Sequence, residues 1–213
     1  HYHWTTADGF YGMLTGNGSE SWGYWIQPGI DAGRLYSVGP GSYVLADNNV
    51  WYRHKEIVER CRTIPWVNGF QFFSYGDWQD YRYWQTAARL FFQNKTKVRA
   101  AKFLADQTPE APAFTLDKID SLNYRLTVTP PEGPAKNQRF AIYRSEDDTL
   151  NVNNDEIVDI HFGKESYSLT DTFSGIQDFN GRYTYFATML DRFWNESKIS
   201  NAFTSDRIPS FAP

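Results

Sequence analysis

The stretch Ala105-Asp106-Gln107-Thr108-Pro109-Glu110-Ala111-Pro112 holds two prolines and two acids in eight positions. Proline has no amide hydrogen to give to a helix or a central strand, so such a stretch joins elements rather than forming one. The spacing of apolar residues changes across it. Before it, dense apolar runs are separated by segments of helical period. After it, apolar and polar residues alternate with period two. This change predicts a first domain over 1–106, a linker over 107–112 and a second domain over 113–213.

Working back from the linker, Tyr81 to Leu104 is rich in Ala, Arg, Lys and Leu and predicts one long helix or two broken ones. Val67 to Tyr75 (VNGFQFFSY) is a dense apolar run, as in a parallel strand buried on both faces. Trp51 to Thr63 predicts a helix, with Ile57, Val58, Cys61 and then Ile64 at helical spacing. Cys61 is therefore a core position, and His54 lies in the same helix. Arg34 to Val38 (RLYSV) reads as a short strand ending in Gly39-Pro40-Gly41. Gly16 to Gly29 reads as a glycine-rich loop that carries Trp22 and Trp25. Strand–helix–strand–helix order implies right-handed crossovers and a parallel sheet.

Working forward from the linker, short alternating segments follow one another. They are Tyr124–Thr129, Arg139–Ser145, Glu156–Phe162, Ser166–Thr170, Arg182–Leu190 and Lys198–Thr204, with Ala113–Leu116 as a further candidate. Six or seven short strands in about 100 residues predict an antiparallel sandwich. Tyr183 and Tyr185 are either tyrosine-corner residues or ordinary packing residues. Asp191 and Arg192 predict an ion pair closing the last hairpin.

Composition narrows the function classes. Of 213 residues, 41% are hydrophobic, enough for a packed core. Aromatic residues make up 18%, with 8 Trp and 14 Tyr, a composition suited to gripping sugars or filling a β-rich core. Net charge is −4 and no basic run exceeds two residues, which argues against a nucleic-acid partner. No run approaches the ~20 apolar residues of a membrane span. Cys61 is the only cysteine, so no internal disulfide forms. The chain opens on His1-Tyr2-His3-Trp4, without Met or a signal-like segment, and this predicts an excised or processed fragment. The alternation of His1 and His3 is explained by that cut better than by a metal site, and no metal or cofactor is expected.

Val67 to Trp78 (VNGFQFFSYGDW), preceded by a helix carrying EIVERCR, resembles the final strand of the glycosyl hydrolase-like 10 barrels, a group of bacterial proteins. There a helix precedes a G-F-x-F-F-S strand. The upstream RLYSVGPGSYVL is similar to the penultimate strand of that group. FAIYRSED, SYSLTDT and GRYTYFATMLDRFWNES resemble fibronectin type III-like domains appended to bacterial polysaccharide-degrading enzymes, which often close with A-x-D-R-x-x-N-E-S. The resemblance covers roughly residues 30–205 and implies a partial (β/α)8-type barrel followed by an all-β fibronectin III-like sandwich. It implies the carboxyl-terminal portion of a glycoside hydrolase acting on polysaccharide or peptidoglycan-type glycans. It also implies a bacterial protein, secreted or held at the surface as a lipoprotein, and so an extracellular, cell-surface or periplasmic location. The alternative is a non-catalytic carbohydrate-binding or scaffold module.

Glycoside hydrolysis ordinarily needs two carboxyl groups, ~5–5.5 Å apart in retaining and ~6.5–9.5 Å apart in inverting enzymes. Barrel enzymes carry them at the carboxyl ends of strands. The acids expected at such positions are Asp77, after FQFFSYG, and Asp31, after WIQPGI, with Asp47 in a loop. No glutamate ends either strand, so this chain alone is expected to be inactive. Asp77 has three readings: catalytic acid, acceptor for a sugar hydroxyl, or helix amino-terminal cap. Tyr75, Trp78, Trp22, Trp25 and Trp51 are the expected sugar-binding aromatics, with Trp4 as a further wall residue and Asp31 as a polar contact. The acidic and amide-rich loop from Asp147 to Asp155 reads as solvated rather than calcium-binding, since it lacks the EF-hand glycine and glutamate. Asn17-Gly18-Ser19, Asn94-Lys95-Thr96 and Asn195-Glu196-Ser197 match the glycan-acceptor pattern, idle in a bacterial protein.

A complete (β/α)8 barrel takes ~250 residues, and 106 precede the linker. An open sheet leaves unpaired edge groups. The expected partner, besides carbohydrate, is therefore an upstream barrel half or a second copy closing the sheet.

Overall fold

The computed structural model describes residues 4–105, 107–132, 138–147, 149–163, 165–173 and 181–208. The expectation about His1 and His3 lies outside the described residues. The chain forms two compact units, His1–Gln93 and Asn94–Pro213.

The first unit runs α1 (Ala7–Thr15), α2 (Trp22–Asp31), β1 (Tyr36–Val38), α3 (Ser42–Asp47), α4 (Arg53–Arg62), β2 (Val67–Phe70), α5 (Tyr75–Asp80) and α6 (Tyr83–Leu90). β1 and β2 pair in parallel, with Val38 opposite Phe70, and a parallel bridge between Gly41 and Phe73 extends the pairing past the strands. This is the parallel α/β order expected. A partial barrel is not shown, because the described residues supply one strand pair.

Each helix has a local cause. The Thr6 hydroxyl accepts the Gly9 amide at 3.2 Å and starts α1. Phe10 and Leu14, four apart, then face inward and meet Ile57 and Cys61 of α4 and Val38 of β1 in one buried cluster. α4 has Glu56 in its first turn and Arg60 and Arg62 in its last, matching the helix dipole. Burial pushes the Cys61 thiol up to about 12, so it packs as an inert apolar group.

Two sequence expectations change here. Gly16–Gly29 is not a loop, since α2 begins at Trp22 and contains Pro28. A Cβ on Gly23 would stand 2.3 Å from the Leu14 carbonyl oxygen, and one on Gly29 would stand 2.0 Å from the Tyr36 hydroxyl. The glycines let α2 lie directly on α1 and β1, and that close packing outweighs turn propensity. Asp31 consequently ends a helix rather than a strand. The helix predicted over 81–104 stops at Leu90. Phe91 is buried, and its carbonyl accepts from Arg62 at 2.8 Å, which turns the chain away.

The second unit holds β3 (Ala113–Lys118), β4 (Asn123–Thr129), β5 (Arg139–Ser145), β6 (Glu156–Phe162), β7 (Tyr167–Thr172), β8 (Thr184–Leu190) and β9 (Phe203–Thr204). They form two antiparallel sheets, ordered β3-β4-β7 and β6-β5-β8-β9. Tyr124, Leu126 and Val128 alternate inward from β4 and share a buried core with Phe140, Ile142, Tyr185, Ala187 and Met189 of the other sheet. β8 is buried at every position because its other face also packs. There Phe186 and Leu190 join Ala141 and Tyr143, with Leu150 and Trp194 against them.

Residues 94–104, predicted as helix, belong with Ala105 to this unit. Lys97 pairs with Glu196 and donates to the Tyr143 hydroxyl at 3.2 Å. The Ala101 amide donates to the Phe193 carbonyl at 2.9 Å, and Asn195 Nδ2 donates to the Ala105 carbonyl at 2.8 Å. Asn195 is buried, and its amide also binds Asp191, so it is no glycan acceptor.

The last strand, expected over 198–204, pairs regularly only at Phe203 and Thr204. Three buried serines replace the ladder before and after that point. Ser197, Ser200 and Ser205 donate their amides to the carbonyls of Met189, Ala187 and Tyr183. Their hydroxyls accept the amides of those same three residues at 2.9, 3.0 and 3.0 Å. Each hydroxyl then donates to the carbonyl of the residue that follows it. The amides of Ala187 and Met189 on β8, and of Tyr183 just before it, are thus satisfied by serine side chains where the last strand swings out.

Asp191 does not pair with Arg192. Its carboxylate accepts the amides of Phe193 and Asn195 at 2.7 and 2.9 Å, and Arg192 lies over the Phe193 ring at 4.3 Å. A tight turn with free amides outbid the ion pair for the carboxylate. Tyr185 donates to Asp171 at 2.8 Å, not to backbone, and Tyr183 stacks on Phe173 at 5.2 Å. In the loop after β5, Asp147 accepts from Thr149 N and Asp155 from Asn151 N, both at 2.7 Å, so these carboxylates hold the loop's own backbone.

Candidate functional site

The carboxyl ends of β1 and β2 lie side by side. Phe73 N donates to Pro40 O at 3.2 Å and Ser42 N to Phe73 O at 2.6 Å, which locks the two strand-to-helix turns together. The only acid in turns 39–42 and 71–77 is Asp77. Its Oδ2 accepts from Ser74 N at 3.0 Å and Ser74 Oγ at 2.7 Å, a capping box that starts α5. Asp77 is half-buried, and its Oδ1 takes no hydrogen bond among the described residues.

Around this turn stand solvent-facing rings. Tyr75 is 67% exposed and packs 5.8 Å from Trp84, itself 47% exposed. Phe73 is exposed and meets Tyr43 edge-on at 5.9 Å. Trp84, Phe73 and Tyr43 were not singled out from sequence. The density of rings from Phe70 to Trp84 was the available signal, but it does not say which face each ring takes.

Trp78, expected beside Tyr75 on the surface, is buried instead. It supports Trp84 from below at 4.7 Å. Its indole N–H donates to Ser42 Oγ at 2.6 Å, and Ser42 Oγ lies 2.8 Å from His54 Nε2. His54 Nδ1 faces the Trp51 carbonyl at 3.0 Å. An indole only donates and a carbonyl only accepts, so the proton positions are forced. His54 carries its proton on Nδ1, and the Ser42 hydroxyl donates to Nε2. Ser42 and His54 are both fully buried. Burial lowers the imidazole to about 4, against a smaller opposing push from the Trp51 carbonyl bond. The Ser–His pair is thus a closed structural network rather than a nucleophile and base.

The other expected residues are scattered. Trp51 is half-buried, stacked on His54 at 4.9 Å and tilted against Tyr81 and Tyr83 at 4.8 Å. Its ring is wall material rather than open surface. Trp4 is half-buried, edge-on to Phe10 at 6.1 Å. Trp22 and Trp25 sit on α2 and line an apolar pocket of about 150 Å³ with Tyr36, Val38 and Trp66. Trp25 is exposed and Trp22 half-buried. Asp31 is exposed and accepts from Gln27 at 2.7 Å. The structure therefore brings Tyr75, Trp78 and Asp77 together, and leaves Trp22, Trp25 and Asp31 as a separate group.

Among the described residues, no His, Cys, Asp or Glu group has metal-binding geometry, and no helix is long and apolar enough to cross a membrane.

No family model matches the chain, and no curated protein matches it. Solved structures that it resembles include a myokine structure at 15% identity, covering 48% of this chain and 99% of that one, with a TM-score of 0.34. A fibronectin type III domain of human fibronectin type III domain containing protein 3 matches at 15% identity, covering 50% of this chain and 93% of that one, TM-score 0.35. A β-1,2-glucanase from Parabacteroides distasonis matches at 21% identity, covering 47% of this chain and 13% of that one, TM-score 0.35.

Proposed function

We propose that the first unit is the carboxyl-terminal section of a glycoside hydrolase-like (β/α) barrel and presents a glycan-binding surface. The second unit is then a fibronectin III-like spacer or docking element, in a bacterial protein working at or outside the cell surface. The observation that carries this reading is the exposed Tyr75–Trp84 pair beside Asp77 at the carboxyl end of β2. A pyranose offers one apolar C–H face and a rim of hydroxyls. Flat rings cover the face, and Asp77 Oδ1 is an acceptor for a hydroxyl. In parallel α/β sheets this end of the strands is where ligands bind.

In this reading the chain binds and does not cleave. Hydrolysis takes two carboxyls, and the turns here offer Asp77 alone, already fixed by Ser74. The missing partner would come from an upstream barrel half or a second copy. The domain assignment proposed with it keeps 107–112 as the linker that leads into the sandwich strands, with Gln107, Thr108 and Glu110 exposed and Pro112 buried. A glycan array run beside chromogenic-glycoside turnover tests the reading. Binding without turnover supports it, turnover by this chain alone refutes the division of roles, and absence of binding removes the carbohydrate assignment.

A further inference from the structure

At the opposite, amino-terminal end of the parallel pair, the first unit has a groove of about 570 Å³, within the size range of small-ligand sites. It runs between the end of α1, the outer face of α2 and the segment Ile64-Pro65-Trp66 that leads into β2. Its lining combines two kinds of group. Tyr24, 52% exposed, and the half-buried Trp66 supply flat apolar surface. Asn17, Gln27 and Asp31 supply hydrogen-bonding groups. Gln27 Nε2 donates to Asp31 Oδ1 at 2.7 Å, so an amide and a carboxylate present a joined polar edge. Gly23 sets the depth, since a Cβ there would strike the Leu14 carbonyl oxygen and lift α2 off α1.

We infer that this groove is a second saccharide site, taking a neutral glycan through two aromatic faces and the Gln27–Asp31 edge. A carboxylate accepts two neighbouring hydroxyls at once, and an amide both donates and accepts, which matches a vicinal diol. A purely apolar ligand would desolvate the Asp31 carboxylate and leave it only the Gln27 amide as a partner. An anion would meet the Asp31 charge. The inference stands on the groove's own lining and does not depend on the reading of the strand-end surface.

The test is amide chemical-shift mapping of the full chain with neutral trisaccharides of glucose and N-acetylglucosamine at about 10 mM, enough for millimolar affinity. The expected result is a set of shifts at Tyr24, Gln27 and Asp31 for at least one sugar. These shifts should weaken about tenfold or more in affinity for the Tyr24→Ala/Gln27→Ala variant, whose residues are exposed. They should persist in a Tyr75→Ala/Trp84→Ala variant, which separates this site from the strand-end surface. Shifts at the strand end only, shifts in the groove for indole but for no sugar, or an unchanged groove response in Tyr24→Ala/Gln27→Ala would each overturn it.

Discussion

Trp78 gives its indole N–H to Ser42 Oγ at 2.6 Å, joining α5 to the first residue of α3 across the ends of both parallel strands. The same hydroxyl donates to His54 on α4. One serine thus ties three helices beneath the exposed Tyr75–Trp84 pair. Replacing it by alanine leaves a buried indole donor and a buried imidazole acceptor unmet, at roughly 1–3 kcal/mol each. Ser42→Ala is expected to lose about 2–4 kcal/mol in urea unfolding of the first unit. A loss under about 0.5 kcal/mol, the range of an ordinary surface change, would contradict the network.

The same network predicts an acid sensitivity. His54 has its ordinary value of 6.5 when unfolded and about 4 when folded, because burial disfavours the cation. Between those values the unfolded chain binds the extra proton, so stability rises with pH across this window and is lost as pH falls through it. The expected contribution at neutral pH is about 3 kcal/mol. His54→Gln should flatten the curve of stability between pH 6.5 and 4, and an unchanged slope there counts against the assignment.

The serine-laced last strand makes a sharper claim. Ser200→Ala removes the acceptor of the buried Ala187 amide. The expected cost is about 1–3 kcal/mol, with faster hydrogen exchange at Ala187. An exposed serine such as Ser168 on β7, replaced in the same way, should change stability by less than about 0.5 kcal/mol. Equal effects from the two substitutions would show that the ladder carries no special stability.

Segment 94–105 gives a further prediction. Lys97, Glu196 and Tyr143 form one cluster, and the Thr188 hydroxyl also donates to Glu196 at 2.8 Å. Burial, with help from the Glu196 carboxylate, pushes the Tyr143 hydroxyl well above its ordinary value, so it stays a donor. Lys97→Met leaves the Glu196 charge at a site where both side chains are under a fifth exposed. The expected loss is about 1–3 kcal/mol, the lower side of a buried pair because some solvent remains. A fragment beginning at Asn94 should likewise melt higher than one beginning at Gln107. Equal melting temperatures would mean that the segment adds nothing to the second unit.

Much of the second unit was legible because its signal is local. The alternation of Tyr124, Leu126 and Val128 directly states which side chains face the core, and observed strands differ from expected ones mainly at their ends. The exceptions are places where a side chain replaced a backbone bond. Ser197, Ser200 and Ser205 accept amides that a regular strand would have served with carbonyls, and no periodicity announces that. The first unit was harder to read. Gly23, Pro28 and Gly29 look like turn residues, yet two of them are there so that α2 can approach Leu14 and Tyr36 closely. Ala100, Ala101 and Lys102 favour a helix, but bonds such as Ala101 to Phe193 outweigh that preference. For the site, Tyr75 and Asp77 could be placed at a strand end because they follow an apolar run. Trp78 was misplaced because a six-residue helix decides which of its rings face inward, and only tertiary packing sets that rotation.

The carbohydrate account is tested most directly by calorimetric titration of the full chain and its Tyr75→Ala/Trp84→Ala variant with the best glycan from an array. Both rings are exposed, so the variant should fold and melt normally. The account predicts measurable binding by the unaltered chain and a loss of about tenfold or more in the variant, from the missing ring contacts. Equal affinity in the two proteins would contradict it, as would an unaltered chain that binds no glycan.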